Sequence, residues 1–148
     1  MKNILLLGAT GSIGKSALSV ISQNKEEFKL YGISFNKDIV RGKEIVKEFS
    51  PNYAHIDDDN SFKNQSNLKE CTYLNGDKDL EELIKSDDVD IIICATSGFS
   101  GLKATHIAAS TGKKILLANK ESIVVGGDLI LPLAKANKTE IIELIIPT

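Results

Sequence analysis

The chain has 148 residues, of which 42% are hydrophobic and 26% charged, values typical of one folded domain rather than a disordered protein. The formal net charge of −2 leaves no basic excess to attract nucleic acid or an anionic membrane, so we expect neither as a partner. The apolar run after Met1 is too short for a signal peptide or a membrane span, and we therefore expect a soluble, cytoplasmic protein.

Apolar runs alternate with amphipathic stretches along the chain. Runs of Ile, Leu and Val without polar alternation are typical of strands buried on both faces of a parallel sheet. Strands are predicted over Asn3–Leu7, Leu30–Phe35, Tyr53–Ile56, Thr72–Leu74, Asp90–Ala95, Ile115–Leu117 and Ile141–Ile146. Helices are predicted over Ile13–Gln23, Ile39–Phe49, Ser61–Glu70 (a weak, polar one), Leu80–Lys85, Leu102–Thr111 and Ile123–Ala136. This order predicts an α/β domain with a doubly wound, mostly parallel sheet.

The end of the first predicted strand carries a glycine pattern. Gly8, Gly11 and Gly14 are spaced G-x-x-G-x-x-G and open the first helix. Glycines there let a phosphate approach the backbone, and the helix N-terminus offers free N–H groups. Thr10 and Ser12 add hydroxyl donors. The pattern predicts a Rossmann-like dinucleotide-binding domain, and a purely structural glycine turn is the alternative.

The second predicted strand is followed by Asn36, Lys37 and Asp38. NAD-binding domains usually place an acid near this point, where it binds the ribose 2′-hydroxyl. The strand tip has no acid, and the cation of Lys37 suits a 2′-phosphate, which favours NADPH over NADH. Asp38 would repel that phosphate unless its carboxylate points away. The alternative is an ordinary polar turn that caps the next helix.

Two later strands also end in residues suited to a ligand. Gly98 and Gly101 would let a loop pass beneath a nicotinamide ring, or would form a simple turn before a helix. Lys120 could hold an anionic substrate or a phosphate. Asn119 and Glu121 could bind ribose or nicotinamide groups. In the alternative, Asn119 caps the last helix, and Lys120 and Glu121 are solvated residues of its first turn.

Other reactive side chains are interpreted as structural. Cys94 lies in an apolar strand and is expected to be a reduced core thiol. His55 and His106 are isolated in the sequence, which favours structural or surface roles over metal binding. The polar segment Ile56–Glu70 is predicted to be a solvated excursion rather than a site.

Four segments together resemble one enzyme family. They are GATGSIG at Gly8–Gly14, EFSP at Glu48–Pro51, GFSGL at Gly98–Leu102 and, most specifically, LLANKES at Leu116–Ser122. These segments are similar to the 1-deoxy-D-xylulose 5-phosphate reductoisomerases of non-mevalonate isoprenoid biosynthesis. The resemblance implies an NADPH-dependent oxidoreductase that isomerises and reduces a phosphosugar substrate, 1-deoxy-D-xylulose 5-phosphate, to 2-C-methyl-D-erythritol 4-phosphate. It also implies a divalent metal, Mg²⁺ or Mn²⁺, and a homodimer.

The resemblance assigns roles to individual residues. It implies cofactor contacts at Thr10, Gly11, Ser12, Ile13, Asn36, Lys37, Asn119 and Glu121. It implies a catalytic contact with the substrate at Lys120. The family usually has Gly-Lys-Asn where this chain has Asn36-Lys37-Asp38, so the 2′-phosphate role passes to Lys37.

The resemblance also implies further domains. In the family, the last strand leads into an Asp-Ser-Glu motif that supplies metal ligands, and this chain ends at Thr148, where that motif would begin. We therefore expect residues 1–148 to form the NADPH-binding domain, with no metal ligands and no turnover of its own. Two alternatives stay open. One is the cofactor domain of another NAD(P)-dependent dehydrogenase, such as a semialdehyde or homoserine dehydrogenase, and the other is a non-catalytic dinucleotide-sensing module.

Overall fold

The structure, a computed structural model, describes residues 1–64, 71–96, 98–118 and 121–143, which form a seven-stranded sheet covered by helices. The strands are β1 (Lys2–Leu7), β2 (Phe28–Phe35), β3 (Tyr53–Ile56), β4 (Thr72–Leu74), β5 (Ile91–Cys94), β6 (Lys114–Leu117) and β7 (Glu140–Glu143). The helices are α1 (Ser12–Gln23), α2 (Ile39–Phe49), α3 (Asp59–Lys63), α4 (Asp77–Lys85), α5 (Gly98–Ala109) and α6 (Glu121–Ala136). None of the helices in these ranges is long and apolar enough to cross a membrane.

The strand order is β4-β3-β2-β1-β5-β6-β7, and each neighbouring pair is parallel. The chain winds outward from β1 to β4, crosses to β5, and then winds outward on the other side. The predicted doubly wound sheet is confirmed, and all of its described pairs are parallel. The change of winding direction leaves a crevice outside the carboxyl ends of the strands, here between β1 and β5. Proteins of this architecture bind their ligands in that crevice.

Strand β1 shows why the strands lack polar alternation. Ile4 and Leu6 pack in the cluster that includes α1 and α2, whereas Leu5 and Leu7 pack with α4 and α5 on the opposite face. All four side chains are at most 3% exposed. Burial of each contributes about 1.5–3 kcal/mol before entropy costs. The two clusters therefore hold the central strand rigidly, with its carboxyl end facing the crevice.

Two helices begin at least three residues earlier than the apolar spacing predicts. Helix α4 starts at Asp77 instead of Leu80, because acidic residues in its first turn favour the positive end of the helix dipole. Helix α5 starts at Gly98 instead of Leu102 and includes Gly101, which is buried. Packing against α4 and α6 there outweighs the low helix propensity of glycine. The glycine-rich segment is thus a helix start, and the turn-before-helix alternative describes it better than a free loop.

The polar segment after β3 forms only a short described helix. Helix α3 covers Asp59–Lys63, within a segment predicted as a helix over Ser61–Glu70. The part of that prediction after residue 64 lies outside the described residues. The same holds for the end of the predicted last strand, since β7 is described only to Glu143.

Candidate functional site

A cleft of about 430 Å³ opens at the carboxyl edge of the sheet, beside the junction of β1 and β5. This volume lies within the usual range for small-molecule sites. Parallel strands all end at this edge, so residues far apart in sequence meet here. The lining is formed by Leu7, Ser34, His55, Asp57, Asp59, Gly76, Asp77, Leu80, Thr96, Ser100, Lys103 and Ala104.

The three glycines that follow β1 differ in whether the fold itself requires a glycine at that position. Gly8 has a φ of +84°, and a Cβ there would lie 2.8 Å from the backbone nitrogen of Thr96. A Cβ on Gly14 would lie 2.5 Å from the carbonyl oxygen of Gly8. At Gly11, by contrast, φ is −79° and the nearest atom to a Cβ would be 3.9 Å away. The fold therefore requires Gly8 and Gly14, whereas the space beside Gly11 is open for a ligand.

The first turn of α1 offers unpaired backbone donors to that space. Gly11 is the N-cap residue and supplies no side-chain hydrogen bond to the helix. The first N–H groups of a helix have no partner within it, and the dipole there favours an anion. Thr10 and Ile13 are half-buried and Ser12 is exposed. The structure thus places the predicted residues Thr10 to Ile13 together, at a helix end suited to a phosphate.

Ser34, at the end of β2, fixes the glycine turn, and the sequence analysis did not single it out. The Gly8 N–H donates to both the carbonyl oxygen and the hydroxyl oxygen of Ser34, each at 3.1 Å. The Ala9 N–H donates to the same carbonyl at 2.9 Å. Ser34 is only 3% exposed. A small hydroxyl between the apolar residues Ile33 and Phe35 was the available signal, since a buried hydroxyl needs a partner.

The turn after β2 presents Lys37 to solvent and directs Asp38 away. Asn36, Lys37 and Asp38 are all exposed. The Asp38 carboxylate accepts a hydrogen bond of 3.1 Å from the Arg41 N–H and caps α2. Lys37 forms no ion pair in the described part of the chain, although its charge acts at longer range on Asp58. The polar turn therefore caps a helix and also leaves one ammonium available for an anion.

Replacing Asp38 by alanine is expected to lower the free energy of unfolding by about 1 kcal/mol, because α2 loses its N-cap. Asp38→Ser keeps a capping oxygen and should lie close to the unchanged chain. Urea unfolding followed by circular dichroism measures both. Equal stability of the alanine and serine variants would contradict the capping role.

His55 is buried against the cleft between two acceptors. It is 3% exposed, its Nδ1 lies 2.7 Å from Asp57 Oδ1, and its Nε2 lies 2.8 Å from the Gly76 carbonyl oxygen. Burial alone would lower the pKa of His55. The hydrogen bonds to Asp57 and Gly76, with the charges of Asp57 and Asp79, outweigh burial and raise the pKa above its ordinary value. The contacts of this histidine are structural, as predicted, and its two acceptors favour the protonated ring.

An ion pair and a side-chain amide stabilise the wall of the cleft that His55 contacts. Lys103 on α5 pairs with Asp77 at the start of α4, and this contact lowers the pKa of the Asp77 carboxyl. The Asn75 amide donates to the Ile56 carbonyl at 2.8 Å and to Asp59 Oδ1 at 3.1 Å. The end of β3, the β4–α4 turn and α5 are therefore linked by polar contacts.

The segment Ile56–Glu70, predicted to be a solvated excursion, begins at the wall of the cleft. Asp57 and Asp59 line the cleft. The reason is topological, because β3 pairs in parallel with β2 and β4 and so ends at the ligand-binding edge. Its polar sequence could not reveal that position.

Part of the predicted site lies outside what the structure describes. Asn119 and Lys120 are not among the described residues. Glu121 begins α6, but its side chain is not described either. Their assigned roles stay predictions.

The remaining reactive side chains give no metal centre. Among the described residues, no group of three or more His, Cys, Asp or Glu side chains is placed to hold a metal ion. A divalent cation therefore has no fitting donor set in this part of the chain. Cys94 is 1% exposed, and burial raises the pKa of its thiol to about 11, which confirms the predicted core thiol. His106 is exposed on α5.

Comparison with known proteins points to one family. The family model of 1-deoxy-D-xylulose 5-phosphate reductoisomerase matches residues 4–127. The enzyme of that name from Clostridium perfringens is 40% identical over 147 residues, covering 96% of this chain and 38% of that protein. The chain thus spans well under half the length of this curated relative.

Solved structures agree with the sequence comparison. A DOX-P reductoisomerase in complex with NADPH, fosmidomycin and magnesium has a TM-score of 0.89 and 32% identity, over 97% of this chain and 36% of that one. The Zymomonas mobilis 1-deoxy-D-xylulose 5-phosphate reductoisomerase in complex with NADPH has a TM-score of 0.87 and 29% identity. This match covers 96% of this chain and 38% of that one. A putative homoserine dehydrogenase from Archaeoglobus fulgidus, at 19% identity and a TM-score of 0.62, shares the fold alone.

Proposed function

The chain belongs to the 1-deoxy-D-xylulose 5-phosphate reductoisomerase family, and we propose that it binds NADPH at the carboxyl edge of its sheet. The observation that carries this proposal is the open space at Gly11, beside the uncapped N-terminus of α1 and next to the β1–β5 junction. At the other two glycines of the turn, Gly8 and Gly14, the corresponding space is filled by the chain's own atoms. A pyrophosphate is the ligand that such a turn accommodates in dinucleotide-binding domains.

The orientation of the cofactor follows from the neighbouring strand ends. With the pyrophosphate above α1, the adenosine half extends toward β2, and Lys37 pairs with the 2′-phosphate. Asn36 lies beside it in the same turn. Asp38 does not oppose this arrangement, since its carboxylate is engaged by the Arg41 N–H. This arrangement favours NADPH over NADH.

When bound, NADPH supplies a hydride for reduction of a carbonyl group. The described residues of this chain bind and orient the cofactor. Ser34 fixes the glycine turn through its carbonyl and hydroxyl oxygens, and α1 presents its first N–H groups to the pyrophosphate. The apolar clusters on both faces of β1 keep that turn in place. These are positioning tasks, in which geometry fixed before binding lowers the cost of binding.

For the protein as a whole, we propose the activity of its family, the NADPH-dependent isomerisation and reduction of 1-deoxy-D-xylulose 5-phosphate in isoprenoid biosynthesis. Under this proposal Lys120 contacts the phosphosugar, Asn119 and Glu121 contact the cofactor, and the ligands of Mg²⁺ or Mn²⁺ are supplied from outside the described residues. A homodimer and a cytoplasmic location are the finer parts of the same proposal. They rest on family membership rather than on contacts in this chain.

Calorimetric titration of the chain with NADPH, and separately with NADH, tests the proposed site. We expect saturable 1:1 binding of NADPH and weaker binding of NADH, because only NADPH offers a 2′-phosphate to Lys37. Free 2′,5′-ADP serves as a competitor that carries the phosphates without the nicotinamide. Absence of NADPH binding by a folded chain would overturn the proposal, and equal binding of both dinucleotides would remove only the role of Lys37.

A further inference from the structure

Resting on the proposed NADPH site, we propose that His55 is a positioning residue for the cofactor. Its doubly protonated ring holds the end of β3 to the β4–α4 turn, and so fixes one wall of the cleft. No cofactor contact is assigned to His55 by the sequence, and the ring does not need one for this role. It acts through Asp57 and Gly76, both of which line the cleft.

The protonation state follows from the two partners. The carbonyl oxygen of Gly76, 2.8 Å from Nε2, can only accept a hydrogen bond, so Nε2 carries a proton. The carboxylate of Asp57, 2.7 Å from Nδ1, is also an acceptor, so Nδ1 carries one too. A ring buried to this degree with both nitrogens donating is an imidazolium stabilised by its ion pair. Each ring nitrogen thus ties one segment of the cleft wall to β3.

Loss of one proton would place a lone pair opposite an acceptor. If Nδ1 loses it, the lone pair faces Asp57, and if Nε2 loses it, the lone pair faces Gly76. Either contact changes from attraction to repulsion at a distance below 3 Å. Gly76 directly precedes α4, and the next residue, Asp77, is paired with Lys103 on α5. A shift of the turn therefore reaches both helices that line the cleft.

The charges around His55 act in the same direction. The carboxylates of Asp57 at the end of β3, and of Asp77 and Asp79 on α4, face the ring, and without it they would present uncompensated negative charge to an anionic dinucleotide. Ser34 and Leu74, the register partners of His55 on β2 and β4, are uncharged. From α5, Lys103 forms an ion pair with Asp77 and offsets its charge. Protonated His55 therefore favours the cofactor through both position and charge.

Affinity for NADPH is accordingly expected to fall as the pH rises through the titration of His55. Titrations start at about pH 7, where the 2′-phosphate is largely dianionic because its second pKa is about 6, and extend upward because the pKa of His55 is raised above its ordinary value. Between the protonated and the neutral ring we expect the dissociation constant to rise by about fivefold, at the low end of measured couplings between linked sites. His55→Gln removes the titrating group. Its affinity should be nearly independent of pH and close to that of the unchanged chain with a neutral His55.

The chain provides a matched control, because its only other histidine, His106, is exposed on α5. His106→Gln should keep the full pH dependence of the unchanged chain. Calorimetric or fluorescence titrations with NADPH at four pH values compare the three proteins. Parallel pH profiles for the unchanged chain and His55→Gln, with NADPH bound, would overturn the inference and leave the proposed function standing. Failure of the unchanged chain to bind NADPH at any pH would overturn both.

A second measurement keeps the test decisive if His55→Gln does not fold. Nitrogen-15 spectra of the unchanged chain should show both ring N–H groups of His55 protonated at neutral pH, with His106→Gln supplying the assignment. By linkage, saturating NADPH must raise the pKa of His55 by the logarithm of the same fold-change, about 0.7 for fivefold. A His55 titration unaffected by NADPH would contradict the inference. An equal shift of His106 would show a general charge effect and contradict it as well.

Discussion

Replacing Gly14 by alanine is expected to destabilise the domain by about 3 kcal/mol, a large part of the stability of a domain of this size. The added Cβ would lie 2.5 Å from the Gly8 carbonyl oxygen and closer still to that of Ala9. Both are backbone atoms and cannot rotate away, so α1 would have to move off β1. Urea unfolding followed by circular dichroism measures the loss. A Gly14→Ala variant within about 0.5 kcal/mol of the unchanged chain would contradict this close packing.

Gly11→Ala is the matched variant three residues earlier. It is expected to leave the stability unchanged and to weaken the binding of NADPH. Its backbone φ of −79° suits any residue, and no atom of the chain lies within 3.4 Å of the added carbon. Stability should therefore change by less than about 0.5 kcal/mol. NADPH affinity should fall by about tenfold or more, because the methyl group occupies the space assigned to the pyrophosphate. Unchanged affinity would mean that the pyrophosphate binds elsewhere.

Replacing Lys37 by alanine is expected to weaken NADPH binding by about 10- to 100-fold. This fold-change corresponds to the usual free energy of a hydrogen bond to a charged group. NADH lacks the 2′-phosphate, so its affinity should not change, and the preference for NADPH should largely disappear. The difference should shrink at high salt, because Lys37 is exposed and its charge is screened. Titrations with both dinucleotides at two salt concentrations measure the effect.

Two further variants separate a specific contact from a general charge effect. Lys43→Ala removes an equal charge from an exposed position on α2. It should leave the affinity for NADPH within about twofold, because an exposed charge that makes no direct contact is largely screened by salt. Lys37→Arg keeps the charge and should retain the preference for NADPH. An equal loss in Lys37→Ala and Lys43→Ala would rule out a specific 2′-phosphate contact.

The sheet could be predicted because its strands are buried on both faces. The alternating partners of Leu5 and Leu6 on opposite faces require apolar residues at successive positions, and that pattern is visible in the sequence. Helix starts were less predictable. Asp77 and Gly98 begin α4 and α5 for reasons of dipole and packing, whereas apolar spacing alone predicts later starts for both helices.

The glycine turn could also be predicted, because its requirements are local. The cleft wall could not. His55 meets Gly76 across 21 residues, and Lys103 meets Asp77 across 26, and neither pair has a sequence signature. The direction of Asp38 was undetermined for a similar reason, since one residue type serves both as a helix cap and as a ribose ligand. Such pairings depend on where parallel strands end, which only the assembled sheet decides.

The central position of β1 has a consequence for synthesis on the ribosome. Among the described strands β1 emerges before the others, pairs with β2 soon afterwards, and aligns Ile4 with Ile91 of β5 only when that distant segment has been translated. Until then one edge of β1 stays unpaired, and the α5 residues that help to cover Leu5 and Leu7 have not yet been made. Open apolar edges recruit other chains. The nascent chain is therefore most prone to misassembly before α5, which ends at Ala109, leaves the exit tunnel, and protection is needed during elongation.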